Sequence, residues 1–103
     1  VTPAPTYAER EGQALFAHYC AGCHGTGGQG DGFNAYNLDP RPRDLSDPTL
    51  QAERADEELR AVIRSGGAAA GLSPAMPPWG RTLSTRQTSY IVHYLRTLRP
   101  EPD

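Results

Sequence analysis

Five consecutive residues, Cys20-Ala21-Gly22-Cys23-His24, constrain this chain more than any other feature. They hold both of its cysteines, two residues apart, with a histidine directly after the second. A structural zinc site wants four ligands, usually from two such pairs. The remaining histidines, His18 and His93, are not spaced as a second pair. A redox dithiol of the thioredoxin kind belongs in a βαβ context, and no strand pattern surrounds Cys20. A disulfide across two residues would be strained and would close almost no loop. C-x-x-C-H is, however, the attachment sequence for a c-type haem. Each thiol can add to one vinyl group of the porphyrin, and the two-residue spacer lets both sulfurs reach neighbouring vinyls. The histidine then lies beneath the ring, where an imidazole nitrogen can bind the iron. The expectation is one haem c, covalent through Cys20 and Cys23, with His24 as an iron ligand.

The bulk properties agree with a chain built around such a group. Its 103 residues fit one domain. Only 37% are hydrophobic, and 10 prolines and 11 glycines break the chain often. A buried porphyrin would supply the apolar surface that the side chains lack. The net charge of −2 gives no reason to expect nucleic acid or an anionic membrane as partner. All 10 basic residues are arginine, which rules out a lysine-ringed docking face. No apolar run reaches transmembrane length, so no direct membrane span is expected, and Val1 does not open a signal peptide. Thioether attachment takes place outside the bacterial cytoplasm, so a periplasmic or other extracytoplasmic location is expected, with a precursor signal removed. Val1-Thr2-Pro3-Ala4-Pro5 reads as a stiff extension or linker over residues 1–5, ahead of a domain over residues 6–100. It is compatible with a plain mature terminus and with a tether to an anchor or another domain, and its prolines favour the tether.

The periodicity is helical throughout. Thr6 and Glu9 have capping-box spacing, and Gly12, Leu15, Phe16 and Tyr19 share one face of the helix that runs into Cys20. Residues 25–45 read as loop, with Gly25, Gly27, Gly28, Gly30 and Gly32 permitting close approach to a flat ligand. Asp39-Pro40-Arg41-Pro42-Arg43-Asp44 is extended and proline-locked. No G-K-[ST] follows the glycines, which argues against a phosphate loop. Asp47-Pro48 predicts a short helix to about Arg54. Asp56 is expected to cap the next, with Leu59, Val62 and Ile63 on one face and Gly66-Gly67 at its end. Residues 67–83 form a second loop, stiffened by Pro74, Pro77 and Pro78. Ser84 and Gln87 predict the cap of a last helix with a stripe of Ile91, Tyr94, Leu95 and Leu98, ended by Pro100.

An iron held by His24 needs a second axial ligand. Met76 is the only methionine, in Ala75-Met76-Pro77-Pro78-Trp79-Gly80. A lone methionine is usually a core filler, but this one sits in a proline-stiffened loop off any helical stripe, which favours a ligand. His18 and His93 fall within helices and are expected to be surface or packing residues. Arg41, Arg43, Trp79 and Arg81, with Tyr36 a weaker candidate, flank the loops and could partner the haem propionates.

Taken together these residues resemble the class I cytochromes c, of the small bacterial single-haem type, over nearly the whole chain. In that family the first helix carries a glycine and an aromatic before C-x-x-C-H, matched by Gly12 and Phe16. An aromatic of the last helix packs across it, matched by Tyr94. Met76-Pro77 matches the family's Met-Pro loop. A family proline gives its carbonyl to the proximal histidine, for which Pro42 is the first choice and Pro40 the second. The resemblance implies an all-α cytochrome c fold of about four helices, with long loops wrapped around one haem and the N- and C-terminal helices packed together. It implies haem c ligated by His24 and Met76, with Pro42, Arg43 and Trp79 among the cofactor-binding residues. The function implied is one-electron transfer between larger redox proteins, such as a membrane oxidoreductase, a dehydrogenase or a terminal reductase or oxidase, in a respiratory or related chain. The carrier would be a monomer and not an enzyme, although it could be the electron-entry domain of a larger oxidoreductase. A haem-based sensor or gas-binding protein with a labile Met76 is the alternative.

Overall fold

The computed structural model describes residues 4–38, 41–72 and 75–99. Five α-helices follow in order: α1 (Tyr7–Tyr19), α2 (Ala21–His24), α3 (Pro48–Glu53), α4 (Asp56–Ser65) and α5 (Thr85–Thr97), with 3-10 turns at Ala35–Asn37 and Ala68–Ala70. There is no strand among the described residues. The helix beyond the expected four is α2, a single turn made by the haem-attachment sequence itself. Pro40, Pro74 and Pro100, and Val1–Pro3 of the expected extension, lie outside the described residues.

Local chemistry sets most of the helix starts. Thr6 Oγ1 accepts from the Glu9 N–H at 3.1 Å, Asp47 accepts from the Thr49 N–H with Pro48 first in the helix, and Ser84 and Gln87 exchange bonds of 3.1 and 2.9 Å. Each satisfies N–H groups that a helix terminus leaves unpaired. The start of α4 departs from expectation. Ala55 is its N-cap, with the Ala55 N–H donating to Glu58 Oε1 at 3.1 Å. Asp56 is instead the first helical residue, because its carboxylate is drawn to the Arg96 guanidinium of α5, with Nε donating at 2.7 Å.

The core is organised on the crossing of α1 with α5. Phe16 is 2% exposed and meets the Tyr94 ring at 5.3 Å, with Ile91, Val92 and Leu95 buried beside it. Gly12 makes the crossing possible: a Cβ there would overlap the Tyr90 carbonyl oxygen. The same cluster takes in Cys20, Ile63 and Leu83, so the helix crossing, the attachment sequence and α4 share one apolar interior.

The two long loops are fastened by main-chain bonds. The first returns under α2, with the Gly30 N–H donating to His24 O at 2.7 Å and the Leu45 N–H to Gly28 O at 2.6 Å. Gly30 has φ +83°, and a Cβ on it would strike the Pro42 carbonyl oxygen, so the strap at Pro42 lies directly on this glycine. The second loop is stapled to the end of α4. Gly67 donates to Met76 O at 3.0 Å, Trp79 to Ile63 O at 2.8 Å and Gly80 to Arg64 O at 3.0 Å.

Candidate haem-binding site

These elements converge on a cavity of about 360 Å³. Cys20, Cys23, His24 and Met76 all line it, although Met76 is 52 residues beyond His24. Its remaining wall is mostly aliphatic and aromatic, including Leu50, Leu59, Val62, Ile63, Trp79 and Leu95. Leu59, Val62 and Ile63 are the face of α4 that the periodicity picked out.

Cys20 closes α1 as its C-cap, and its N–H donates to Phe16 O at 2.8 Å. Only 8% of it is exposed. Burial, with a smaller contribution from Cys23, pushes its thiol up to about 12. The sulfur is therefore kept uncharged, the state a thioether also has. No disulfide joins Cys20 to Cys23. His24 ends α2 and is half-buried. Burial pushes its imidazole below the ordinary 6.5, opposed by a hydrogen bond to the Arg43 carbonyl. A neutral imidazole is the form that binds metal. With Nδ1 donating to that carbonyl, Nε2 is left as the nitrogen with a free lone pair.

The partner of His24 is a correction to the sequence expectation. Nδ1 lies 3.3 Å from Arg43 O, one residue beyond Pro42. The Pro42 carbonyl is turned onto Gly30 instead. Pro42 still lines the cavity, as do Arg41, Arg43 and Trp79. The Trp79 ring packs on Tyr19 at 5.2 Å and 60°. Arg81 is exposed and away from the cavity wall, and Tyr36 is exposed with the Arg41 guanidinium 4.4 Å over its ring. His18 and His93 are exposed and do not line the cavity. Two charged wall residues were not among the site candidates, Arg54 and Glu58, which pair at 3.6 Å. Their spacing of four along the chain is a pairing signal, but it spans two helices.

A c-type haem fits these residues. The cavity is apolar, two cysteines with the attachment spacing stand on its wall, and an imidazole biased to neutrality and a thioether line it with them. An all-helical fold carrying C-x-x-C-H on the wall of such a cavity defines a small c-type cytochrome of class I kind. The chain belongs to the family of cytochrome c oxidase, cbb3-type, subunit III, whose model matches residues 8–95. Among curated proteins no relative matches it. Solved structures share the fold. The KustC0563 c-type cytochrome superposes with a TM-score of 0.70 at 22% identity, covering 86% of this chain and 98% of that one. A chain of the reducing HAO-like protein complex Kustc0457/Kustc0458 of Kuenenia stuttgartiensis gives 0.74 at 21% identity over 97% of this chain. This chain spans about half of that one, 48% of its length.

Proposed function

We propose that the protein is a one-electron carrier whose haem c is held through Cys20 and Cys23 and ligated by His24 and Met76. The single observation that carries this reading is the convergence of those four side chains on one apolar cavity. Family membership supports haem-based electron transfer in general terms. When bound, the haem supplies a one-electron couple between ferrous and ferric iron. The protein's own residues set the conditions of that couple. The Arg43 carbonyl holds the Nδ1 proton of His24, fixing the tautomer and strengthening the ring as a donor. The Met76 thioether, a soft neutral donor, favours the electron-rich iron and raises the potential relative to two nitrogen ligands. The apolar wall excludes water, and its low dielectric disfavours the extra positive charge of the oxidised state. Two protein ligands leave no open position for oxygen or peroxide, so the assignment is a carrier and not an enzyme.

The partners proposed are larger redox proteins, and the location periplasmic or otherwise extracytoplasmic, with residues 1–5 as a linker ahead of the domain at 6–100. The similar domain in the HAO-like complex occupies about half of a longer chain, which supports service as an electron-entry domain as well as a free carrier. No helix among the described residues is long and apolar enough to cross a membrane.

Redox-titrated visible spectroscopy of the holoprotein tests the proposal. The expected result is a single haem c with a weak far-red ferric band diagnostic of iron–methionine sulfur ligation. Absence of that band near neutral pH, or rapid carbon monoxide binding by the reduced protein, would favour a gas-binding protein with a labile Met76 and overturn the carrier.

A further inference from the structure

One buried polar side chain outside the cavity wall braces a strap that lines it. Gln51, on α3, is 7% exposed. Its Nε2 donates to Leu45 O at 2.7 Å and to Leu95 O at 2.9 Å. Its Oε1 accepts from Arg96 Nη1 at 2.9 Å. The amide thus has both its donor hydrogens and its oxygen engaged, and a buried amide held this way has one orientation. Arg96 is fixed in turn. Its Nη1 also reaches Gln51 O at 2.9 Å, Nη2 reaches Arg54 O, and Nε bonds Asp56. The pair ties α3, the start of α4 and the last turns of α5 to the strap that ends at Leu45.

That strap carries the Arg43 carbonyl. Leu45 is gripped from both sides, its N–H by Gly28 O and its C=O by Gln51. Two residues upstream, Arg43 O meets His24 Nδ1. Its 3.3 Å separation is at the long end for such a bond, so small movements of the strap change the bond markedly. We infer that Gln51, oriented by Arg96, is a positioning residue for the proximal ligand. It sets the strength of the His24–Arg43 hydrogen bond and through it the potential of the haem iron. This inference rests on the haem reading above.

The chemistry fixes the sign. A firm bond from Nδ1 to a carbonyl makes the imidazole a stronger donor, which favours ferric iron. Releasing the strap weakens the bond and raises the potential. Gln51→Met keeps the length and apolar packing and removes both donors without adding charge. In the purified holoprotein it is expected to raise the midpoint potential. The exchange of the His24 Nδ1 proton in the reduced state, followed by NMR, should accelerate on the order of tenfold, the factor that loss of one ordinary hydrogen bond represents. Thr88→Val is the control. Thr88 is 1% exposed on α5, and its hydroxyl donates to Ser84 O within its own helix start, so the substitution should lower stability and leave both readouts unchanged. If Gln51→Met does not yield holoprotein, Arg96→Lys, which loosens the amide while keeping the charge, should move both readouts in the same direction. Unchanged potential and exchange in a destabilised variant would show Gln51 to be packing alone and overturn the inference. Failure of the haem reading looks different: the wild-type protein would then lack a covalent haem or the histidine ligand from the outset.

Discussion

Met76 and Gly12 show how much a single side chain decides here. Met76 stood out in the sequence because it is the only methionine and sits in a proline-stiffened loop off any helical stripe, and the structure puts it on the same cavity wall as His24. Met76→Ala should open the sixth position. The far-red band should vanish, the potential should fall, and the reduced protein should bind carbon monoxide and gain adventitious peroxidase activity. An unchanged visible spectrum in that variant would remove Met76 from the ligand set. Gly12 offers a test of packing. On an exposed helix Gly→Ala gains about 1 kcal/mol. At the α1–α5 crossing the added methyl meets a main-chain carbonyl that cannot swing away, and overpacking costs about 1–3 kcal/mol. Urea denaturation of Gly12→Ala holoprotein should therefore show a net loss of about 2 kcal/mol, the difference between a clash near the upper end of that range and the propensity gain. The residue scale is also where sequence reasoning slipped by one position. A proline locks its own φ, but which neighbouring carbonyl faces His24 depends on how the strap lies against Gly30. That is set by a contact 12 residues away, and no local signal encodes it.

At the scale of elements, what local chemistry determines was legible and what tertiary contact determines was not. Thr6, Asp47 and Ser84 announced their helices because a cap needs only its own next three residues. The cap of α4 was misplaced by one, because Arg96 of α5 takes the Asp56 carboxylate, and a partner 40 residues away is invisible to a capping rule. The single turn α2 was missed because four residues carry no periodicity. Gln51 was missed because a lone glutamine in a short helix has no pattern to mark it as buried. A prediction belongs to α4. Arg60 donates to Glu57 Oε2 from Nε at 3.1 Å and from Nη2 at 2.8 Å, and this bond holds the carboxyl below its ordinary 4.5. A carboxyl lowered by folding stabilises the fold above its unfolded value and loses that contribution as pH falls through the lowered one. Arg60→Gln should move the Glu57 titration back up toward 4.5 in carbon-13 NMR. Because Glu57 is exposed to solvent, the melting temperature should barely change.

For the whole molecule the question is what remains when the haem is withheld. The α1–α5 crossing is a self-contained apolar contact, with Phe16, Ile91 and Val92 each at most 2% exposed. The rest is different in kind. Leu50 of α3 and Leu59, Val62 and Ile63 of α4 line the cavity together with Met76 of the second loop. A dry void of about 360 Å³, at about 24 cal/mol per Å³, would cost about 9 kcal/mol. That is comparable with the whole 5–15 kcal/mol stability of an ordinary domain. A chain with Cys20 and Cys23 replaced by serine and produced without haem should therefore not hold the cavity open. The loop from Pro42 to Leu45, α3 and the Met76 loop have main-chain fastenings but little apolar partner of their own, and should lose their fixed packing. Hydrogen exchange should show protection confined to α1 and α5, with far-UV circular dichroism retaining only part of the helical signal and near-UV signal from Trp79 lost. Protection extending undiminished through α3, α4 and residues 75–80 in that haem-free chain would mean the side chains alone close the core.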